Sequence, residues 1–348
     1  MDKLPRYRTG REDIDAAIAE IIDDAKLSDN TDLTFEMVVS ALRLSIEDVE
    51  RADLKLVNAA LKELRYAFHV FAPYRGIRKC TIFGSARIES GDPAYESAKQ
   101  LGACIAARDW MVMTGAGPGI MAAGLEGAGS ENSFGINIML PFEASANEFI
   151  ADDPKLINFR YFFTRKVTFM KESAGYAILP GGFGTMDEAF ELLTLMQTGK
   201  SILAPVVLLV PVGSTYWDRW EEFVTKELLG AGLISPADMG LFKITNSVDE
   251  AADEMTRFYR TYHSSRAVGQ RLVLRLQREP SDDELATLKS EFGDIIESGE
   301  IERIEATDSE VADRDHLNLH RIAFRFDRHG YARLRQMIDA LNDATPAP

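Results

Sequence analysis

A strand, a glycine-rich loop and a helix follow one another between residues 176 and 196. Residues 176–179 are apolar and typical of a buried parallel strand, and residues 189–196 have helical character. Between them lies the stretch Pro180-Gly181-Gly182-Phe183-Gly184-Thr185-Met186-Asp187-Glu188. Glycine lets the chain turn sharply and lets a ligand approach the backbone, while the free N–H groups of a helix start favour an anion. The pattern therefore predicts a phosphate site at the end of a strand in an α/β fold.

Two side chains in this stretch bear on chemistry. Thr185 can cap the helix or donate its hydroxyl to a phosphate. Glu188 lies one turn further on, where a carboxylate would repel a bound anion, and that position indicates catalysis. The alternative is that the glycines only form a tight turn and that Glu188 is a solvated acid of the first helical turn.

The preceding residues predict further strand–loop–helix units. Residues 80–83 form a short apolar strand, followed by the loop Gly84-Ser85-Ala86-Arg87 and a helix over 93–107. Residues 110–114 predict a second strand that ends at Thr114 and leads into a loop with Gly115, Gly117 and Gly119. Strands at 134–140, 206–210 and 241–244 and helices at 217–229 and 248–262 complete the pattern. The predicted fold class is α/β, a Rossmann-like, doubly wound parallel sheet.

The second glycine loop does not fit a dinucleotide site. Its glycines have a GxGxG spacing, and no acidic residue follows at the usual distance, so we exclude a NAD-dependent enzyme. Residues 76–262 contain no histidine, which excludes a Ser-His-Asp triad, a Cys-His pair and a histidine-ligated zinc in this region. His316 and His320 lack a third ligand and are interpreted as solvated loop residues. Carboxylates, arginines, lysines and backbone dipoles remain, which are the groups that cleave glycosidic bonds, so we expect no metal and no cofactor.

Arg165 and Lys166 stand where residues 158–171 pass from a predicted strand into a helix. Adjacent helical residues point about 100° apart, so one of the two should turn toward the end of the sheet. The alternative is that both are ordinary surface cations.

The flanking segments predict two additions to the core. Residues 1–75 show three helical patterns, the third from about residue 46 to 70 with Ser45 as its N-cap. Residues 266–348 predict a small α+β unit of order βαββα. The predicted domains are therefore a helical extension (1–75), a nucleotide-binding core (76–265) and an accessory domain (266–348).

Composition limits the partners. The net charge of −16 offers no basic face to a nucleic acid polymer, so a phosphate would be bound by local backbone and a few cations. No apolar run is long enough to cross a membrane, and no signal peptide is recognisable. Two cysteines, in a predicted strand and a predicted helix, favour a reduced, cytoplasmic protein.

Three motifs resemble those of the Lonely Guy (LOG) family, once widely labelled lysine decarboxylases. The stretch 180–188 resembles the PGGxGTxxE signature, and residues 115–121 resemble the GGGPGIM loop with Ala116 in place of the middle glycine. Ala122 stands where many bacterial relatives have an acidic residue, and Arg165-Lys166 resembles the RK motif. The resemblance covers roughly residues 66–262.

The resemblance implies cleavage of the N-glycosidic bond of a nucleoside 5′-monophosphate, and its best-known members act on cytokinin nucleotides. It implies that Arg165 and Glu188 are catalytic and that the protein is a homodimer or a higher homo-oligomer. The implied substrate and phosphate contacts are Gly84, Ser85, Arg87, Thr114, Gly115, Gly117, Gly119, Lys166, Pro180, Gly181, Gly182, Gly184 and Thr185. The alternative is a nucleotide- or cofactor-binding carrier or sensor that uses the same loops without turnover, since molybdenum cofactor carriers resemble this fold. An acid beside the anion site favours the enzyme.

Overall fold

The computed structural model describes residues 5–27, 29–140 and 146–344. The chain forms two compact units, residues 1–65 and 66–348. The first unit contains helices α1 (Glu12–Asp24) and α2 (Thr31–Ile46) and most of α3 (Arg51–Phe71). A small apolar core of Ile18, Ile22, Phe35 and Val39 holds α1 against α2.

The predicted start of the third helix at Ser45 is wrong. Ser45 lies in the last turn of α2, and α3 begins only at Arg51. The chain turns at Asp48, which has the left-handed φ of 56° that breaks a right-handed helix. The division into three domains stays a prediction.

The second unit is built on a seven-stranded sheet in which every pair of neighbouring strands is parallel. The strand order is β4-β3-β2-β1-β5-β6-β7. The side chains of the central strands are mostly apolar and are buried on both faces, as is usual for parallel sheets. The strands are β1 (Lys79–Phe83), β2 (Met111–Thr114), β3 (Ser133–Ile138), β4 (Leu156–Phe159), β5 (Gly175–Ile178), β6 (Val206–Leu209) and β7 (Lys243–Thr245).

Helices connect these strands and make the sheet doubly wound, which confirms the predicted fold class. The chain runs outward from β1 to β4 and then returns to β5 on the other side of β1, so the connections that follow β1 and β5 lead away in opposite directions and leave a crevice. Ligands of open parallel sheets bind in such a crevice. The helices are α4 (Pro93–Ala106), α5 (Ile120–Ala128), α6 (Phe162–Glu172), α7 (Phe183–Gln197), α8 (Tyr216–Phe223) and α9 (Val248–Arg257).

The C-terminal part of this unit is a second, antiparallel sheet of order β10-β11-β9-β8. It contains a strand and a short helix that the βαββα pattern lacks. Strand β8 is too polar to be recognised as a strand, and the helix predicted over 248–262 reaches its first residue. The elements are β8 (Tyr262–Val268), β9 (Arg271–Leu276), α10 (Asp282–Phe292), β10 (Ile296–Arg303), α11 (Asp308–Asp313), β11 (His320–Phe326) and α12 (Tyr331–Asp343).

Helix α12 ties this sheet to the core. The Arg335 guanidinium is buried, lies 2.6 Å from Glu254 Oε1 on α9 and donates to the carbonyl of Ala204 at 3.2 Å. Tyr331 packs so closely on Gly199, just after α7, that a Cβ there would collide with its ring. The accessory helix therefore contacts the end of α7 that is opposite its first turn.

None of the described helices is long and apolar enough to cross a membrane. Within the same residues, no group of three or more His, Cys, Asp or Glu side chains is placed to hold a metal ion. His316 packs against His263, with ring centroids 4.4 Å apart, rather than against His320.

Candidate active site

The loops that follow β1, β2 and β5 meet at the crevice. The N–H of Ser85, after β1, donates to the carbonyl of Pro180, after β5, at 3.1 Å. The carbonyl of Ser85 accepts from the N–H of Ile120, at the start of α5, also at 3.1 Å. Residue Gly84 allows this approach, because a Cβ there would lie 2.6 Å from Ile120 Cγ2. Sequentially distant segments thus form one connected platform.

The loop after β5 passes directly into α7. Gly182 is the N-cap with extended backbone, and the helix begins at Phe183, earlier than predicted. Gly181 is covered by the buried Thr185, whose Cβ would lie 2.6 Å from a Cβ at Gly181. By contrast, Gly182 and Gly184 are exposed and have nothing within 4 Å of an added Cβ. The free N–H groups of the helix start therefore face open space.

Tyr216 fixes this loop from the side. Its hydroxyl donates to the carbonyl of Gly181 at 2.7 Å. Because a peptide group is planar and its C=O and N–H point in opposite directions, this bond also sets the direction of the Gly182 N–H. The adjacent Trp217 is buried and donates from Nε1 to the carbonyl of Leu209 at 3.0 Å, which holds the start of α8 beside β6.

The loop after β2 supports the same platform. A Cβ at Gly115 would collide with the Arg165 guanidinium, so only glycine leaves room for that side chain. Gly119 has a φ of 69° and lies against the backbone of Ser85 and Ala86. Ala116 has a φ of 61°, a conformation that strains a residue with a Cβ, and its N–H donates to Thr114 Oγ1 at 3.2 Å.

Arg165 and Glu188 lie side by side. Arg165 Nη1 is 3.8 Å from Glu188 Oε1, and both side chains are largely buried, with 9% and 15% of their surfaces exposed. Arg165 is oriented by its Nε, which donates to the carbonyl of Ile136 at 2.8 Å, and by the ring of Phe169, whose centroid is 5.3 Å from Cζ. The guanidinium is therefore a fixed positive charge beside a carboxylate.

The electrostatic environment of Glu188 is unusual for a glutamate. Burial raises the pKa of Glu188 to about 7, although the nearby cations Arg165 and Lys166 lower it. Asp187 and Glu191 raise it further. A carboxyl group that titrates near neutral pH in a crevice is a frequent property of active sites.

Lys166 has carboxylate partners of its own. Its Nζ lies 2.7 Å from Asp187 Oδ2 and 2.8 Å from Glu191 Oε2, although the second contact is not aligned as a hydrogen bond. Burial alone would lower the pKa of Lys166, but the two carboxylates outweigh that effect and raise it. Its predicted role as a phosphate contact stays a prediction.

Two recesses flank the platform. One, of about 710 Å³, is lined by Arg87, Tyr95, Gly119, Asn147 and Phe149 among others. The other, of about 520 Å³, is lined by residues 214–216 and by Arg219 and Trp220. Neither is lined by Arg165 or Glu188.

The predicted site residues divide by position. Gly84, Ser85, Gly115, Gly119, Pro180, Gly181, Gly182, Gly184 and Thr185 form the platform, with Arg165 and Glu188 beside it. Gly117 belongs to the β2 loop, where its carbonyl accepts from Asn147 at 2.9 Å. Thr114 is fully buried and supports that loop by accepting the N–H of Ala116. Arg87 is exposed and lines the larger recess.

Comparison with known proteins gives two relevant matches in sequence. Residues 116–255 match a family model described as possible lysine decarboxylase. The cytokinin riboside 5′-monophosphate phosphoribohydrolase of Mycobacterium tuberculosis is 29% identical over 160 residues, which are 45% of this chain and 82% of that protein. These matches confirm the resemblance noted from the motifs.

Solved structures give weaker likenesses. The molybdenum cofactor binding protein of Rippkaea orientalis aligns with a TM-score of 0.38 and 20% identity, covering 52% of this chain and 96% of that one. A Moco carrier protein of Chlamydomonas reinhardtii aligns with a TM-score of 0.35 and 20% identity, covering 51% and 93%. At these TM-scores neither likeness carries weight for function.

Proposed function

We propose that this chain, whose central segment resembles the LOG family, is a phosphoribohydrolase that cleaves the N-glycosidic bond of nucleoside 5′-monophosphates. The observation that carries this proposal is the position of Glu188. Its carboxylate lies 3.8 Å from Arg165 and in the second turn of α7, behind a glycine loop with open space in front of it. Phosphate binding alone does not require an acid there.

The loop residues Gly181 to Thr185 bind the 5′-phosphate in this proposal. The N–H groups at the start of α7 and the positive end of the helix dipole stabilise the anion. Gly182 and Gly184 leave the approach open, and Tyr216 keeps the carbonyl of Gly181 turned aside. The loop from Gly115 to Gly119 helps to hold the 5′-phosphate, and the ribose lies across the carboxyl ends of the strands.

Cleavage then proceeds with development of positive charge on the ribose. The C1′–N bond breaks, its electron pair leaves with the base, and the base takes up a proton. Water adds its oxygen to C1′ and loses a proton, which gives ribose 5-phosphate. The ionised Glu188 carboxylate stabilises the cationic ribose or orients the water, and Arg165 positions the substrate or assists the departing base.

AMP or a cytokinin-type nucleotide is the proposed substrate, because the Mycobacterium tuberculosis relative is named for the latter. We also propose a cytoplasmic homodimer or higher homo-oligomer, with no nucleic acid polymer as partner. The free thiols of Cys80 and Cys104 support the compartment. The assembly is supported by exposed apolar residues on α6 and α7, which are Phe162, Phe163, Val167, Phe183 and Phe190. Light scattering tests this proposal.

The deciding experiment is incubation with AMP, GMP, CMP, UMP and N6-isopentenyl-AMP, with free base and ribose 5-phosphate measured by chromatography. Adenosine, which lacks the phosphate, is the matched control substrate, and Glu188→Gln is the matched control protein. We expect release of base and ribose 5-phosphate in equal amounts from at least one nucleotide. Tight nucleotide binding without turnover would instead support the carrier or sensor.

A further inference from the structure

We infer that Lys166 is a positioning residue for Glu188: it holds Asp187 and Glu191, which flank Glu188 on α7, and thereby keeps the Glu188 carboxylate ionised and in place. Its effect on turnover rests on the proposed function. Lys166 would then act through its carboxylate partners and not as a ligand of the phosphate.

The arrangement of the two helices supports this role. Glu191 lies three residues after Glu188 and four after Asp187, so it is a neighbour of both acids on the surface of the first half of α7. Lys166 reaches across from α6 and contacts the outer two, at 2.7 and 2.8 Å. Arg165, the residue before Lys166 on α6, lies 3.8 Å from Glu188, the middle one. Two cations thus stand against three carboxylates.

The burial of these groups decides which contacts matter. Lys166 is mostly buried, with 16% of its side chain exposed, and Glu191 is about one-third exposed at 32%. Asp187, at 59%, is hydrated and gains little from the pairing alone. The pairs therefore contribute little stability, but they place a positive charge among the acids. Without the charge of Lys166, Arg165 alone would compensate the negative charges of Asp187, Glu188 and Glu191.

Charge neutralisation in turn controls the protonation of Glu188. Lys166 lowers the pKa of Glu188, whereas Asp187 and Glu191 raise it. A bound phosphate adds further negative charge beside this group. Without the lysine, a larger fraction of Glu188 would be protonated at neutral pH and unable to stabilise a cationic ribose.

The test compares Lys166→Met with the triple variant Lys166→Met, Asp187→Asn, Glu191→Gln. Titration of the Glu188 carboxyl is followed by ¹³C NMR, with Glu188→Gln to assign its signal, and the pH profile of kcat/KM is measured in parallel. We expect the single variant to raise the midpoint by about one pH unit, which is the usual effect of one nearby charge, and the triple variant to restore it. Lys171→Met is the control on the same helix, because Lys171 is exposed and pairs with Glu172.

A further variant keeps the test possible if Lys166→Met does not fold. Asp187→Asn with Glu191→Gln keeps Lys166 and should move the midpoint in the opposite direction, to lower pH. An unchanged Glu188 midpoint in all these variants would overturn the inference. The inference would also be overturned if inorganic phosphate inhibits Lys166→Met tenfold more weakly and the triple variant does not restore the inhibition. That result would identify Lys166 as a ligand of the phosphate.

The NMR titration separates this inference from the proposed function, since it needs no turnover. If the parent protein releases no base from any nucleotide but the midpoint shifts as described, the proposed function fails and the role of Lys166 stands. If turnover occurs and the midpoint does not move, the proposed function stands and the role of Lys166 fails.

Discussion

Replacing Glu188 with glutamine should make the protein more stable at alkaline pH and less active. Glutamine keeps the shape of the side chain and removes the charge that burial disfavours. The pKa of Glu188 is raised from 4.5 to about 7, so the folded protein binds this proton more tightly than the unfolded chain. The free energy of unfolding therefore falls as pH rises from about 4.5 to 7, and the full cost of the ionised carboxylate is present above that window.

The size of the effect follows from the shift. A pKa difference of this size corresponds to about 3 kcal/mol, since each unit is worth about 1.4 kcal/mol. The attraction of Arg165 is already included in that shift, so no separate correction for the lost pair is needed. Glu188→Gln should thus unfold at a temperature about 5 °C higher at pH 8, and at an unchanged temperature near pH 4.5.

The assay is thermal unfolding followed by circular dichroism at several pH values between 4.5 and 8.5. Asp187→Asn is the matched control, because it removes an acid from the same helical turn that is mostly exposed and should change stability by less than about 0.5 kcal/mol. In parallel, kcat of Glu188→Gln should fall about 10²- to 10³-fold while KM holds or improves. An equal stability difference at all pH values, or a less stable variant at pH 8, would refute the reasoning.

Three further predictions concern the loop and the accessory helix. Tyr216→Phe removes the bond to the Gly181 carbonyl, worth about 1 kcal/mol, so KM and the inhibition constant of ribose 5-phosphate should rise about fivefold with kcat retained; a fall in kcat alone would contradict this. Gly182→Ala should leave the unfolding temperature unchanged but raise KM about tenfold, because its methyl group occupies open space in front of the loop; an unchanged KM would show that phosphate does not approach there. Arg335→Ala should lower stability by about 3 kcal/mol, measured by denaturant unfolding, because Glu254 keeps only more distant cations; a loss below 1 kcal/mol would contradict the buried pair.

The core fold could be predicted because its strands are short and mostly apolar, and because β1, β2 and β5 lead into glycine loops. Buried parallel strands such as residues 175–178 and 206–209 leave a signal that is independent of their neighbours. Strand β8 has no such signal, because its residues are polar, begin only a few positions after α9, and are stabilised by pairing with β9. The start of α7 was placed too late, because glycines are poor helix formers in isolation.

The site was predictable in its components but not in its contacts. The motif placed Glu188 at a helix start, and the resemblance suggested Arg165 as its partner. The pairing of Lys166 with Asp187 and Glu191 depends on how α6 and α7 rotate and pack, which no local pattern specifies. Tyr216 was missed for a related reason, because its contact joins loops that follow two neighbouring strands. The position of both loops after parallel strands was the signal that could have found it.

Helix α7 has the glycine loop at one end and the accessory helix at the other, with Tyr331 packed on Gly199 beyond its last residue. Loss of the C-terminal sheet would expose the apolar surface under α12 and leave Glu254 without its closest cation. The two sheets should therefore melt in a single cooperative transition, and limited proteolysis should not release a smaller active core. Natural variation in α12, far from the glycine loop, can then change how many molecules are folded without altering that loop.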